Sequence, residues 1–215
     1  MLMTYVKNSV WIIFLAIIGT GGAVAAEQAK YNVVLKDDSF EVRHYEPHIV
    51  AETIVDGNFE DAGGNAFKRL FKYISGNNIS QQEIEMTAPV TQKAGSEKID
   101  MTSPVGQRED NGFWAVSFMM PASYSAETLP KPKDPKVVLR QVPARYIASI
   151  QYSGFWSEKS YISHRGKLDA WINENSFKVT GAPLWARYNA PFIPWFFRRN
   201  EILIAIENPP DNKQK

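Results

Sequence analysis

The sequence predicts one α+β domain made of two similar strand–strand–helix–strand units. In the first unit, residues 40–45 alternate between apolar and polar side chains and residues 49–55 are rich in β-branched residues, which is typical of two strands. A similar order of elements returns about 97 residues later, as the spacing of Gly57 and Gly154 shows. Each unit has one amphipathic helix and a half-buried sheet. We therefore expect the two units to cover each other's apolar faces in a single pseudo-twofold domain.

The first unit, about residues 31–120, continues with a helix, a hairpin and a strand. The helix is predicted from apolar side chains at positions i, i+3, i+4 and i+7, namely Phe67, Leu70, Phe71 and Ile74. The nearly identical segments 84–90 and 99–105 flank the turn-forming residues 94–96 and predict a hairpin. Residues 113–120 are predicted as a further strand.

The second unit, about residues 136–207, follows a proline-rich connector at residues 121–135. Residues 138–143 and 146–152 mirror the first two strands. Leu168, Trp171 and Ile172 repeat the spacing of an amphipathic helix, and residues 201–207 are predicted as the last strand.

The first 26 residues have the features of a secretory signal peptide. Lys7 precedes an unbroken apolar run at residues 10–18, and small residues at 23–26 provide a cleavage site. We expect cleavage to leave a domain at residues 27–215 that is exported, either periplasmic or secreted. The alternative is that the segment is retained as a membrane anchor, because extension to residue 26 approaches the length that spans a bilayer.

Composition excludes several classes of function. Among 215 residues, 24 Lys and Arg balance 23 Asp and Glu, so the chain lacks the excess of cations that nucleic-acid binding requires. It contains no cysteine, which excludes disulfides, thiol nucleophiles, iron–sulfur clusters and covalent c-type haem attachment. The sequence also lacks a Gly-x-Ser-x-Gly elbow, a phosphate-binding glycine loop and a His-Glu-x-x-His motif, so we do not predict an enzyme.

Three motifs in order resemble the SOUL haem-binding family. They are Phe-Glu-Val-Arg-His-Tyr-x-Pro at residues 40–47, Met-Thr-Ala-Pro-Val at 86–90, and Ala-Arg-Tyr-Asn-Ala-Pro at 186–191, followed by Arg-Arg-Asn-Glu at 198–201. The resemblance covers about residues 31–207. It implies a distorted antiparallel β-barrel of two pseudo-twofold β-β-α-β repeats with two flanking helices, as one SOUL-type haem-binding domain.

The resemblance also implies non-covalent binding of haem, or of a related porphyrin, in an apolar surface groove. Some members of the family use an axial histidine at the position of His44, and others hold haem without one. The cofactor-binding positions that the resemblance implies are His44, Phe67, Arg69, Leu70, Phe71, Lys72, Phe192 and Trp195, with His44 as the metal ligand.

Some of these residues have a simpler interpretation. His44 shares a strand face with Phe40 and Val42, and it is either a ligand or a strand histidine hydrogen-bonded to a neighbour. Arg69 and Lys72 either hold propionates or lie on a solvated helix face. His48 and His164 are interpreted as ordinary surface residues.

The sequence therefore predicts a non-catalytic binding protein of the cell envelope that binds a tetrapyrrole reversibly for transport, buffering or sensing. The first alternative is a protein-interaction module that uses the aromatic loop at residues 185–197. The second alternative is an enzyme that acts on a tetrapyrrole. A membrane is expected as a partner only if the N-terminal segment is uncleaved.

Overall fold

The structure of the chain, a computed structural model, describes residues 26–81 and 95–210. In chain order the strands are β1 (Tyr31–Asp37), β2 (Phe40–Tyr45), β3 (His48–Val55), β4 (Asn78–Ile79), β5 (Val105–Asp110), β6 (Phe113–Met119), β7 (Lys131–Pro132), β8 (Val138–Val142), β9 (Arg145–Tyr152), β10 (Leu184–Arg187) and β11 (Asn200–Ile206). The helices are α1 (Phe59–Ile74), α2 (Glu158–Glu174) and a 3-10 turn (Trp195–Phe197). The predicted α+β class is confirmed. The predicted signal peptide, apart from residue 26, lies outside the described residues.

Nine of these strands form one antiparallel sheet in the order β1-β2-β9-β11-β10-β5-β6-β3-β8, and β4 pairs with β7. Among the described residues no ladder joins the edge strands β1 and β8, so a closed barrel is not confirmed. The strand order from β2 to β8 has an internal symmetry. When β2, β3, β5 and β6 are exchanged one by one with β8, β9, β10 and β11, the same order results, read in the opposite direction. The two-repeat interpretation stays a prediction with which this order agrees.

The prediction that residues 99–105 form a hairpin strand is wrong for residues 99–104, and the other arm, at residues 84–90, lies outside the described residues. Residues 95–104 contain no strand, and β5 begins at Val105. The segment makes isolated backbone hydrogen bonds to separate parts of the chain instead of a strand ladder. The Ile99 N–H donates to the carbonyl of Ile74, and the Ser103 N–H donates to that of Glu27. Pro104 has no N–H with which to continue a ladder.

Each helix packs on its own half of one sheet face. α1 covers β3 and β6 with a cluster that includes Leu70, Tyr73 and Phe118. α2 covers β9 and β11 with a cluster that includes Trp171 and Ile204. Each helix begins with a polar cap, as where the side chain of Asn58 accepts the Asp61 N–H at 2.8 Å. The core is therefore divided between two halves of a continuous sheet.

The buried stripe of α1 differs from the predicted one. The residues that face the sheet are Phe59, Ala62, Gly63, Ala66, Leu70, Tyr73 and Ile74, whereas Phe67 and Phe71 are exposed. The stripe extends toward the N-terminus because small residues let the helix approach the sheet closely. A Cβ at Gly63 would lie only 2.9 Å from Arg187 Nη2 and Gln107 Oε1.

The sheet face opposite the helices holds a buried ion network around Glu201. Arg43 donates to both carboxylate oxygens of Glu201, at 2.7 and 3.0 Å, and Arg199 and Tyr188 each donate to it at 2.8 Å. Arg43 and Glu201 are buried. The network joins β2 to β11 across the intervening strand β9, because the three strands are adjacent in the sheet.

Replacing Glu201 with glutamine should lower the free energy of unfolding by about 3–5 kcal/mol, because Arg43 loses its buried carboxylate partner. Urea denaturation followed by tryptophan fluorescence measures this loss. Glu207→Gln is the control, and it should leave stability nearly unchanged because its ion pair with Lys178 is exposed. Equal effects of the two substitutions would contradict a structural role for the network.

The network should also make stability depend on pH. Burial raises the pKa of Glu201, but the hydrogen bond and charge of Arg43, the charge of Arg199 and the Tyr188 hydroxyl outweigh burial and hold this pKa below its ordinary value of 4.5. A carboxyl with a lowered folded-state pKa contributes stability that is complete above the unfolded pKa and is lost as pH falls through the folded pKa. Urea denaturation below pH 4.5 should therefore show a steeper loss for the wild type than for Glu201→Gln. If the stability of the wild type and of Glu201→Gln fell in parallel with pH, Glu201 would not be the source of the pH dependence.

Gly63 and the neighbouring Gly64 provide a matched test of the close packing of α1. No atom lies within 4 Å of a Cβ at Gly64, so Gly64→Ala should raise the free energy of unfolding by about 0.5–1 kcal/mol through helix propensity. Gly63→Ala should gain less or lose stability, because the new methyl group displaces Arg187 and Gln107. Thermal and urea unfolding of both variants measure the difference. An equal gain in the free energy of unfolding would show that α1 does not pack tightly on the sheet at Gly63.

Candidate functional site

Phe67 and Phe71 form an exposed aromatic pair on α1. Their rings stack at 5.8 Å between centroids, and the side chains are 36% and 48% exposed. Phe67 also meets Phe118 of β6 edge-on at 5.3 Å, which orients the pair against the sheet. Lys68 and Lys72 are exposed on the same helix. The structure therefore brings together two predicted aromatic residues and the predicted lysine.

Two other predicted residues of α1 are placed differently. Leu70 is fully buried in the core, so its predicted role in a surface groove is wrong; it lies four residues before Ile74 on the stripe that faces the sheet. Arg69 extends toward β3, where Nη1 donates to Thr53 Oγ1 at 2.8 Å and Nε lies 3.4 Å from Asp134 Oδ2. Its guanidinium is already engaged on the flank of α1 that faces β3 and β8.

His44 lies on the other half of the sheet. It packs on Tyr146 at 4.6 Å between ring centroids, on the face of β2 that α2 covers. β2 and β6 are five strand steps apart, or about 24 Å along the sheet at the usual spacing of about 4.8 Å. The structure does not bring His44 to Phe67, and the metal-ligand role of His44 stays a prediction.

Arg187 is a functional candidate that the sequence analysis missed. It ends β10, opposite Val105 of β5 and Asn200 of β11, and its guanidinium lies 4.7 Å from the Trp185 ring. Its Nη2 donates to Gln107 Oε1 at 3.3 Å, while Nε is buried without a hydrogen-bond partner among the described residues. Burial lowers the pKa of Arg187 to about 10. No carboxylate in the described part of the chain forms an ion pair with it, so its charge is not compensated there.

The part of the aromatic loop that follows β10 lies next to Arg187. Trp156 contacts both the Arg187 guanidinium, at 5.4 Å, and that of Arg198, at 4.3 Å. Arg198 in turn donates to the carbonyls of Ile193 and Pro191 at 2.7 Å, which ties the loop down. Phe192 is 84% exposed, and the following Trp195 is half exposed and stacks on Phe155 at 5.0 Å.

We call the region from α1 to this loop the α1–loop surface. It is defined by Phe67, Phe71, Lys72, Phe155, Trp156, Arg187 and residues 192–197. Val105 lies opposite both Phe118 and Arg187 in the sheet, so it connects the aromatic pair to the arginine. The surface combines exposed rings with a cation that has no counter-ion among the described residues. That combination suits a flat apolar ligand that carries carboxylates.

Two further observations concern the described residues alone. They contain no group of three or more His, Asp or Glu side chains placed to hold a metal ion. In the same ranges, no helix is both long and apolar enough to cross a bilayer.

Comparison with known proteins places the chain among haem-binding relatives. The model of the family described as "SOUL heme-binding protein" matches residues 26–205. "Heme-binding protein 1" of Xenopus tropicalis is 28% identical over 174 residues, which is 79% of this chain and 85% of that protein. "Heme-binding protein 2" of Homo sapiens is 25% identical over 182 residues, which is 82% of each chain.

The fold also occurs in solved structures of low sequence identity. The crystal structure of the EcmrR C-terminal domain has a TM-score of 0.52 at 10% identity, over 83% of this chain and 98% of that one. The cryo-EM structure of an EcmrR–DNA complex has a TM-score of 0.58 at 9% identity, over 79% and 57% of the two chains. These likenesses concern the fold alone. The family match covers most of the sequence, and this chain belongs to the SOUL heme-binding protein family.

Proposed function

We propose that the chain binds haem, or a related tetrapyrrole, reversibly and without a covalent bond at the α1–loop surface. Its membership of the family and its haem-binding relatives support the ligand. The observation that carries the location is Arg187, a half-buried cation without a carboxylate partner in the described structure, in contact with the rings of Trp156 and Trp185. Bound haem would supply an iron centre in an apolar macrocycle with two carboxylates at one edge.

The residues of the α1–loop surface fit such a ligand. Phe67 and Phe71 offer ring faces to an apolar disc, and Trp195 faces solvent beside Phe155. The planar guanidinium of Arg187 suits a carboxylate, because its N–H donors form a fixed fork. Lys68 and Lys72 add positive charge at the exposed side of α1. Burial of the carboxylate next to Arg187 would also relieve the cost of the isolated cation.

The defining residues of this surface include no His, Met or Tyr that would reach an iron. The proposed mode is therefore the one in which the protein holds the macrocycle by its faces and carboxylates, without a dedicated axial ligand. Such a mode favours reversible capture for transport, buffering or sensing over conversion of the ligand. We further propose that the chain acts after export, since residues 1–26 have the pattern of a signal peptide.

We also infer that the two halves arose from one β-β-α-β unit and that the sheet curls toward a barrel. The exchange symmetry of the strand order supports the duplication. Tyr31 of the edge strand β1 and Arg140 of the opposite edge strand β8 line a common cavity, which supports the curling.

Titration of the purified apo-protein with haemin should give a saturable shift of the Soret band, and the haem should be recovered unchanged. Arg187→Met should weaken binding by about tenfold or more, because a charge-assisted hydrogen bond contributes about 1.5–3 kcal/mol. Phe71→Ala should also weaken it. Arg165→Met, which removes an exposed cation from α2, is the matched control and should leave affinity unchanged. His44→Ala should leave the spectrum unchanged.

A linear response without saturation would refute haem binding, and loss of binding in His44→Ala alone would move the site to the α2 half. Docking of a protein partner by the loop is a second candidate function, which the exposure of Phe192 and Phe197 favours. Unchanged haem affinity in the double variant Phe192→Ala, Phe197→Ala would show that these two rings do not bind haem, and would favour their role in docking a protein partner.

A further inference from the structure

The sheet face opposite the helices encloses a cavity of about 400 Å³, within the range typical of small-molecule sites. Residues from both edges and the centre of the sheet line it. Its apolar wall consists of Val50, Met119, Val142, Ile147, Leu184 and Leu203. None of the eight residues predicted to bind haem lines this cavity, and neither does Arg187. It is therefore separate from the α1–loop surface.

The charged side chains of the cavity are mainly cationic. Its lining includes three arginines, Arg108, Arg140 and Arg145, and one carboxylate, Glu52. Glu52 accepts hydrogen bonds from Arg140 at 2.9 Å and from Arg108 at 3.3 Å, and Asp110 lies 3.6 Å from Arg108. Three cations against the carboxylates of Glu52 and Asp110 leave one positive charge. The remaining charge is that of Arg145.

Arg145 lacks the compensation that the other two arginines have. It forms no ion pair with any residue of the described chain, and its Nε is buried without a hydrogen-bond partner there. Burial lowers the pKa of Arg145, and the charges of Arg140 and Arg108 lower it further. A half-buried guanidinium beside two other cations is unfavourable without an anion.

His48, Tyr45 and Tyr188 are further polar groups of the cavity. His48 was interpreted from the sequence as an ordinary surface residue, yet it lines the cavity. Burial lowers its pKa, and the charges of Arg145 and Arg140 add to this effect, so the ring is neutral at neutral pH. The hydroxyl groups of Tyr45 and Tyr188 contact the network around Arg43 and Glu201. An apolar wall with one uncompensated cation favours a ligand with an apolar body and one negative charge.

We propose that this cavity binds a small monocarboxylate with an apolar body, the carboxylate lying at Arg145 and the body against Val50, Ile147 and Leu203. The site is formed by strand residues, so it is preorganised by the hydrogen bonding of the sheet. The proposal does not depend on haem binding, because the two sites lie on opposite faces of the sheet.

Calorimetric titration with three ten-carbon probes tests the proposal on the unmodified protein. Decanoate should bind saturably, whereas decanol and decyltrimethylammonium, which have the same chain with a neutral or a cationic head, should bind at least about tenfold more weakly. Equal affinities of the three probes would overturn the proposal, since binding would then depend on the chain alone. Because this comparison needs no variant, it holds whether or not a substitution disturbs folding.

Variants and methyl NMR then locate the carboxylate. Arg145→Met should weaken decanoate binding by about tenfold or more, while Arg165→Met on the outer side of α2 should not change it. Decanoate should shift the methyl resonances of Val50, Ile147 and Leu203 but not that of Leu70 in the opposite core. Unchanged affinity in a folded Arg145→Met variant, or shifts confined to the α1 side, would refute the site.

Discussion

Burial of a carboxylate in the centre of a sheet requires that its partners stay in place, and Glu201 imposes this requirement here. Its strand β11 is buried along its whole length, with the α2 core on one face and the ion network on the other. Arg43 must approach from β2, which lies one strand beyond the direct neighbour β9. The registers of β2, β9 and β11 are therefore coupled, since a slip of one residue would turn Glu201 into the apolar core.

The alternation of strand side chains gives the two faces of this sheet different chemistry. On the face that the helices cover, apolar residues fill the core, and a few polar side chains, among them Gln107 and Arg187, lie between α1 and the sheet. On the opposite face, charged residues pair around Glu201 and Glu52 and leave a cavity between them. Because the same strands carry both faces, the α1–loop surface and the cavity are held by one rigid framework. A ligand on one face can affect the other only through the backbone of shared strands such as β5 and β10.

The sequence predicted the fold better than the site, for physical reasons. Local periodicity defines an isolated strand or helix, so β3 and β9 were predicted close to their observed bounds, and Leu168, Trp171 and Ile172 correctly indicated α2. The stripe of α1 was misplaced because the sequence pattern favours large apolar residues, whereas the close contact uses Gly63 and leaves Phe71 exposed. Arg187 was missed because the absence of a counter-ion is a three-dimensional property. A possible signal was its position between Trp185 and Tyr188, where a cation among aromatic residues is typical of a recognition surface.

Arg187 and Arg145, on opposite faces of the sheet, are both half-buried cations. The buried guanidinium of Arg43 is paired with Glu201 and Glu41, because an uncompensated buried charge costs stability. Arg187 and Arg145 lack a carboxylate partner in the described structure although the chain carries nearly equal numbers of acidic and basic residues. The hydrogen bond of Arg187 to Gln107 and its contacts with Trp156 and Trp185 orient the guanidinium but do not neutralise its charge. An anion supplied from outside would offset the cost at each site, which is why binding explains both arginines better than folding does.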